Sequence, residues 1–262
     1  MLRLTLKNLA GNRVRFALTA FAVVLAVSFV VSSFVLTDGL RQQFDGLSAE
    51  IVEGTDLMVR PVEPDLGETP NLPDAIVDQV AATDGVADAA PVFQAADNSI
   101  RPIPPDGELI GTNGPPQLAL NWVDNPALSS MTLVEGRAPA ADGEFAMDVD
   151  AAATHGFALG GTYDVLTPTG TVSETLTGLT RFGSDNATLG ATLMQFPTAS
   201  LQRLTGESGI DSVAVVLDAG ADRAAVQAAL GSLAPGTEVI DNATMLSEQQ
   251  EGFDRGISIM GN

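Results

Sequence analysis

The first hydrophobic feature of the chain is an uncharged run from Phe16 to Leu36. As a helix rising about 1.5 Å per residue, it matches the roughly 30 Å hydrocarbon core of a bilayer. A cleaved signal peptide is the alternative, but its apolar region is only about 7 to 15 residues long and ends at a small-x-small site. No convincing site of this kind follows Leu36, so the pattern predicts a transmembrane helix over residues 16–36.

Residues 1–15 carry a weaker amphipathic pattern. Leu2, Leu6 and Leu9 recur at helical spacing, whereas Arg3 and Lys7 lie on another face. This spacing is typical of a helix that lies in the membrane interface. A plain charged segment before the membrane helix fits the same residues equally well.

Two apolar stripes at helical spacing bracket the rest of the chain. They consist of Leu40, Phe44, Leu47 and Ile51 near the membrane, and of Leu246, Phe253 and Ile257 towards the C-terminus. They predict stalk helices over residues 37–55 and 242–262. If the stalks pack antiparallel, Asn262 returns to the membrane surface, and we expect a further transmembrane helix beyond it. A C-terminal amphipathic helix packed on its own domain is the alternative.

Between the stalks, the order strand, helix, strand occurs twice. The first set is predicted at 56–62, 72–83 and 86–94, and the second at 212–217, 222–233 and 237–240, with Asp222 as a helix cap. From about residue 98 to residue 208, repeated Gly, Pro and Asp turn signals separate short strands. The predicted fold class is therefore α+β, with a mixed α/β lobe at 56–97 and 209–241 and an inserted β-rich lobe at 98–208.

The apolar run also separates the charges. Arg3, Lys7, Arg13 and Arg15 precede it, whereas all 33 Asp and Glu residues follow it. Because Lys and Arg concentrate on the cytoplasmic flank of membrane helices, we expect a cytoplasmic N-terminus and an extracytoplasmic main domain in the cell membrane. A domain this acidic is repelled by phosphate backbones, which excludes nucleic acid as a partner.

Residues with catalytic or metal-binding potential are few. The only histidine, His155, has no patterned Ser or Asp partner, and we expect it at the surface or in a turn. Asp148 and Asp150 form an Asp-x-Asp pair near Glu144, but the glycine and the closing glutamate of an EF-hand loop are missing. The sequence contains no cysteine, no Gly-x-Ser-x-Gly elbow and no Walker A lysine motif. We therefore predict no enzyme, no metal site and no cofactor.

Short motifs spread over most of the chain are similar to those of one family of membrane proteins. They are Leu6-Lys-Asn-Leu-Ala-Gly-Asn-Arg-Val-Arg-Phe-Ala-Leu-Thr19, Val86-Ala-Asp-Ala-Ala-Pro-Val92, Leu133-Val-Glu-Gly-Arg-Ala-Pro139, Gly143-Glu-Phe-Ala-Met147, Gly156-Phe-Ala-Leu-Gly-Gly-Thr-Tyr-Asp-Val165 and Gly178-Leu-Thr180. In this order they resemble the permease subunits of ABC transporters of the MacB/FtsX type, close to the lipoprotein-releasing permeases.

The resemblance implies a permease dimer in the lipid bilayer, with a separate cytoplasmic ABC ATPase that hydrolyses the ATP. In that family a periplasmic core domain receives ATP-driven motion through stalk helices, which is called mechanotransmission. The predicted function is therefore the N-terminal part of a permease subunit that couples this motion to export or extraction of a lipophilic or peptide-like substrate. The two stalk stripes are the predicted coupling residues. The alternative is a single-pass anchored extracytoplasmic binding module without an ATPase.

Overall fold

The computed structural model describes residues 18, 21–25, 27–28, 54–62, 69–111, 115–184, 186, 188 and 190–248. Residues 1–46 and 47–262 form two separate units. In the first unit, the described residues are helical and exposed. Within the described parts of the chain, no helix is both long and apolar enough to cross a bilayer. The segment at 1–15 lies outside the described residues, as does most of the run at 16–36, and both stay predictions.

The second unit contains a four-stranded antiparallel sheet built from both ends of the domain. Its strands are β1 (Leu57–Pro61), β2 (Val86–Val92), β10 (Ser212–Leu217) and β11 (Thr237–Asp241), in the order β11-β1-β10-β2. Helix α1 (Ile76–Ala81) connects β1 to β2, and helix α4 (Arg223–Leu230) connects β10 to β11. Each helix thus joins two strands that have a third strand between them, which is the split β-α-β arrangement of ferredoxin-like sheets.

Alternation along β1 determines which face of this sheet lies under the helices. Leu57 and Val59 are fully buried, in one apolar cluster with Leu230 of α4. Met58 and Arg60 lie on the opposite face, because successive strand residues alternate between faces. Burying one Leu or Val side chain completely contributes about 1.5–3 kcal/mol, so the helices hold the sheet from one side.

The elements of this sheet agree with the sequence patterns in type and order. Strand β10 has its predicted bounds, and α4 begins after Asp222, whose side chain accepts hydrogen bonds from two backbone N–H groups of the first turn. Several predicted ends are wrong: α4 ends at Leu230 and not at residue 233, and α1 ends at Ala81 and not at residue 83. Two further differences have a visible structural cause. Helix α1 begins at Ile76 and not at residue 72, because Leu72 forms an isolated β-bridge with Ile210. Strand β2 ends at Val92 and not at residue 94, because Phe93 and Ala95 form backbone hydrogen bonds with residues 121 and 119 of a different sheet.

The chain between β2 and β10 forms a seven-stranded sheet. Its strands are β3 (Arg101–Pro102), β4 (Gln117–Asn121), β5 (Met131–Gly136), β6 (Glu144–Asp148), β7 (Thr162–Thr167), β8 (Gly170–Phe182) and β9 (Thr192–Phe196). They follow the order β3-β7-β8-β6-β9-β4, and β5 also pairs with β8. The α+β fold class is confirmed, whereas the lobe boundaries near residues 98 and 208 stay predictions.

Two helices of this region, α2 (Val149–His155) and α3 (Thr198–Thr205), are missing from the sequence-based prediction. Helix α2 is only seven residues long and follows β6 without a loop, because Asp148 both ends the strand and caps the helix. His155 is therefore the last residue of a helix and is half-buried, with Gly156 after it in the left-handed conformation.

Candidate functional site at the base of the domain

The chain enters and leaves the four-stranded sheet at neighbouring points. Thr55 and Asp56 lead into β1, and helical residues 242–248 follow β11 directly. The Asn242 side-chain nitrogen donates a hydrogen bond to the Thr55 carbonyl oxygen at 3.2 Å. We call this region, residues 54–60, 223 and 238–248, the base. Because both predicted stalks join the domain here, the base is the candidate functional site.

The predicted first stalk helix does not extend to residue 55. Gly54 lies in a turn with a φ of +94°, and Thr55 and Asp56 have no regular structure. A positive φ is compatible with glycine but interrupts a right-handed helix. The chain therefore changes direction at Gly54 before it enters β1.

Asp56 sets the position of the incoming chain. Its Oδ2 accepts a hydrogen bond from the Leu217 N–H at 2.9 Å, at the end of β10. Its Oδ1 and its carbonyl oxygen accept hydrogen bonds from the Arg223 guanidinium of α4, at 2.7 and 2.8 Å. Because both side chains are partly exposed, this ion pair contributes only about 0–1 kcal/mol to stability. Its main effect is to orient the incoming segment.

Asp241 starts the outgoing helix. Its Oδ1 accepts hydrogen bonds from the Thr244 backbone N–H at 2.9 Å and from the Thr244 hydroxyl at 2.7 Å. The hydrogen bond from the hydroxyl has the larger effect, and both bonds lower the pKa of Asp241 below its ordinary value. The charged carboxylate lies at the N-terminal end of the helix, where the helix dipole favours negative charge.

The outgoing helix packs on the sheet face opposite α1 and α4. Met245 is buried against Ile240 of β11, and the partly buried Leu246 and Met58 complete this cluster. Leu246 is a predicted coupling residue, and its position is consistent with the apolar stripe from which it was predicted. The other predicted coupling residues lie outside the described residues: Leu40, Phe44, Leu47, Ile51, Phe253 and Ile257.

Arg60 bonds the outgoing helix to two strands. Its Nη1 and Nη2 donate to Glu248 Oε2 and Oε1 at 2.6 and 2.8 Å, and its Nε donates to Glu238 Oε1 at 2.7 Å. Glu238 lies directly opposite Arg60 in the β1–β11 register. The bonds to Glu248 raise the pKa of Arg60 and lower the pKa of Glu248, so both groups stay charged at neutral pH. A two-pronged Arg–carboxylate pair restricts orientation as well as distance.

The polar contacts of the base are not part of the sequence-based prediction. A signal was available for Arg60, because alternation along β1 puts it on the same face as Met58. A partly buried arginine in a chain with 33 acidic residues requires a carboxylate partner. The identity of Glu248 as that partner depends on how the outgoing helix docks, which the sequence pattern does not specify.

The three acidic residues that the sequence suggested as possible cation ligands are engaged in hydrogen bonds and an ion pair within the protein. Asp148 is fully buried, and its two oxygens accept hydrogen bonds from two backbone N–H groups. Asp150 accepts a hydrogen bond from Asn186, and Glu144 pairs with Arg137. Among the described residues, no three His, Cys, Asp or Glu side chains are grouped so that they could hold a metal ion.

Comparison with known proteins supports the motif-based resemblance. The family model of the MacB-like periplasmic core domain matches residues 16–233. No curated protein matches the sequence. The fold is similar to that of the periplasmic region of MacB from Actinobacillus actinomycetemcomitans, with a TM-score of 0.54 and 12% identity over 78% of this chain and 97% of that chain.

The chain is also similar to a second solved structure, the extracellular domain of the noncanonic ABC-type transporter YknZ from Gram-positive bacteria. Its TM-score is 0.49, with 12% identity over 71% of this chain and 99% of that chain. The resemblance to MacB/FtsX-type permeases is confirmed at the level of the family, because the family model covers most of the sequence. The chain belongs to the family of the MacB-like periplasmic core domain.

Proposed function

We propose that this chain is the N-terminal part of an ABC permease subunit that couples ATP-driven motion to export or extraction of a lipophilic or peptide-like substrate. The observation that carries the proposal is the attachment of the outgoing helix to the four-stranded sheet. The Arg60–Glu248 pair and the Met245–Ile240 cluster bind the two elements at separate points. A helix held in this way transmits a displacement to the sheet instead of sliding over it.

The proposal includes a membrane arrangement. Residues 16–36 cross the cell membrane with the N-terminus in the cytoplasm, and stalks at 37–53 and 242–262 carry the domain on the outer side. The separation of basic and acidic residues by the apolar run supports this topology. Two permease subunits form a dimer that binds a cytoplasmic ABC ATPase. The Leu246 contacts at the base support a coupling role for the second stalk.

Co-purification tests the partner. The full-length permease is isolated in mild detergent from the membranes of its own cells, and the bound proteins are identified. We expect an ATPase subunit and vanadate-sensitive ATP hydrolysis. Recovery without any ATPase, together with unchanged efflux of lipophilic dyes and a labelled hydrophobic peptide after gene deletion, would support the single-pass binding module instead.

Arg60→Met tests the coupling at the base. The substitution keeps an unbranched apolar side chain but removes both ion pairs. Because partly exposed ion pairs contribute about 0–1 kcal/mol to stability, the variant should fold, bind the ATPase and hydrolyse ATP. We expect transport of the same dyes and peptide to fall by up to about fivefold, the factor that corresponds to about 1 kcal/mol of lost contact. Arg181→Met, at an exposed position of β8, is the matched control and should transport normally.

Phe44→Asp tests the first predicted stalk in the same assay. It places a charge in the apolar stripe and should separate ATP hydrolysis from transport. Gln42→Asp adds the same charge on the opposite side of the predicted helix and should have little effect. Normal transport by both Arg60→Met and Phe44→Asp would refute the coupling role of the base and stalk.

A further inference from the structure

A 3-10 turn packs on the same sheet face as the outgoing helix, but on the other half of that face. The turn, Pro126–Leu128, lies in the connection between β4 and β5 of the seven-stranded sheet. Leu128 is buried against Ala90 of β2 and Ala214 of β10. In the strand register, Ile240, Met58, Ala214 and Ala90 form one row across the four strands. The outgoing helix covers one end of this row and the turn covers the other.

The incoming chain is in direct backbone contact with this turn. A Cβ atom placed on Gly54 would lie 2.1 Å from the Ala127 carbonyl oxygen, whereas ordinary contacts begin at about 3.4 Å. Any side chain at position 54 would therefore have to displace the turn by about 1 Å or more. The closeness of the two backbones means that movement of the incoming chain towards the turn cannot be absorbed by side-chain rotation.

Hydrogen bonds connect the turn to both sheets. Asn125 caps it by accepting from the Ala127 N–H at 2.9 Å, and the Asn125 side-chain nitrogen donates to Asp88 of β2 at 2.5 Å. On the other side, the Trp122 N–H donates to the Phe196 carbonyl oxygen at the end of β9 at 2.7 Å. The connection thus bridges the four-stranded and the seven-stranded sheets.

We infer that Gly54 and the turn Pro126–Leu128 form a second coupling contact, through which the incoming stalk sets the position of the seven-stranded sheet relative to the four-stranded sheet. This inference rests on the proposed function, in which the stalks move. The outgoing helix acts on β1 and β11, whereas the incoming chain acts on the turn over β2 and β10. A displacement of one stalk relative to the other therefore acts on opposite ends of one sheet.

Gly54→Ala tests this contact without any need for ATP. The sequence contains no cysteine, so spin labels can be attached at Thr171→Cys in β8 and Ala228→Cys in α4, which are both exposed. The distance between the labels is measured by pulsed EPR on the full chain in detergent. We expect the Gly54→Ala methyl group to shift the mean label distance. The emission of Trp122, the only tryptophan, should change as well.

Gly220→Ala is the matched control. Gly220 has a φ of +87°, close to that of Gly54, but a Cβ atom there would meet no atom within 4 Å. The two variants therefore share the backbone strain of alanine at positive φ, and only Gly54→Ala presses on the turn. The label distance and Trp122 emission should be unchanged in Gly220→Ala.

Asn125→Ala keeps the test decisive if Gly54→Ala does not fold. It removes the cap of the turn and the bond to Asp88, so the distribution of label distances should broaden. Unchanged distances in Asn125→Ala, and in Gly54→Ala where it folds, would overturn the inference. The label distance depends on the contact and does not depend on ATP. If the distance shifts but no ATPase co-purifies with the permease, the coupling contact is supported and the proposed transport function is rejected.

Discussion

The two sheets of this domain are stabilised in different ways. The four-stranded sheet has α1 and α4 on one face, and its other face is divided between the outgoing helix and the 3-10 turn. In the seven-stranded sheet, a single strand of 13 residues, β8, pairs with three others, which are β5, β6 and β7. On the first sheet, the outgoing helix leads to a predicted stalk, and the 3-10 turn meets the incoming chain at Gly54. The second sheet shares one apolar core with the first but is joined largely by pairing between its own strands. We expect the first to respond to the stalks and the second to move as a rigid body.

The largest expected effect concerns core packing in the seven-stranded sheet. Phe145 of β6 and Phe196 of β9 are fully buried and stacked, with ring centroids 5.7 Å apart. Phe145→Ala leaves a cavity and should lower the free energy of unfolding by about 3–5 kcal/mol. Urea unfolding of the detergent-solubilised chain, followed by circular dichroism, measures the loss. Phe182→Ala, at a partly exposed position of β8, should cost less, and the reverse order would contradict the packing described.

Two helix caps offer an intermediate comparison. Asp148 caps α2 in the buried interior and also accepts a hydrogen bond from the Leu193 N–H, so Asp148→Ala leaves buried donors unpaired at a cost of about 1–3 kcal/mol. Asp222 caps α4 at the surface, and Asp222→Ala should cost about 1 kcal/mol. The same urea titration at neutral pH compares them, with the exposed Asp218→Ala as control. A larger loss for Asp222→Ala would mean that the four-stranded sheet is the less tolerant region.

The smallest effect is a pH dependence in the seven-stranded sheet. Hydrogen bonds from the Arg137 side chain, and then from the Ala140 and Ala141 N–H groups, lower the pKa of Glu144 from 4.5 to about 2. Because the folded pKa lies below the unfolded one, this carboxylate stabilises the fold above pH 4.5, and the contribution is lost as the pH falls towards 2. Glu144→Gln should therefore lose less stability than the unsubstituted chain between about pH 5 and pH 3. Equal losses would show that the Arg137 pair does not contribute.

Glu174 acts in the opposite direction. Burial raises its pKa above the ordinary value, although the Arg203 guanidinium at 3.3 Å partly opposes this effect. Protonation of Glu174 therefore stabilises the fold as the pH falls. The comparison of Glu144→Gln with the unsubstituted chain cancels this contribution, because Glu174 is present in both.

The sequence alone predicts those parts of the fold in which one segment determines its own structure. The alternation around Leu57, the apolar residues of β10 and the cap residue Asp222 are local patterns, and each corresponds to an element of the structure. Helix α2 was missed because its seven residues span only about two helical turns, too few for a helical period to be recognised directly after a strand. The family resemblance was also available from the sequence, since its motifs are short contiguous segments.

The sequence by itself determined the separation of charge, the α+β class and the apolar stripe that includes Leu246. Only the tertiary structure decided that Glu248 bonds to Arg60, that β10 lies between β1 and β2, and that Gly54 meets Ala127. The physical reason is the length scale of each interaction. Periodicity and capping act within a few residues, whereas these contacts join residues far apart in the chain, and their geometry exists only after the sheets have packed.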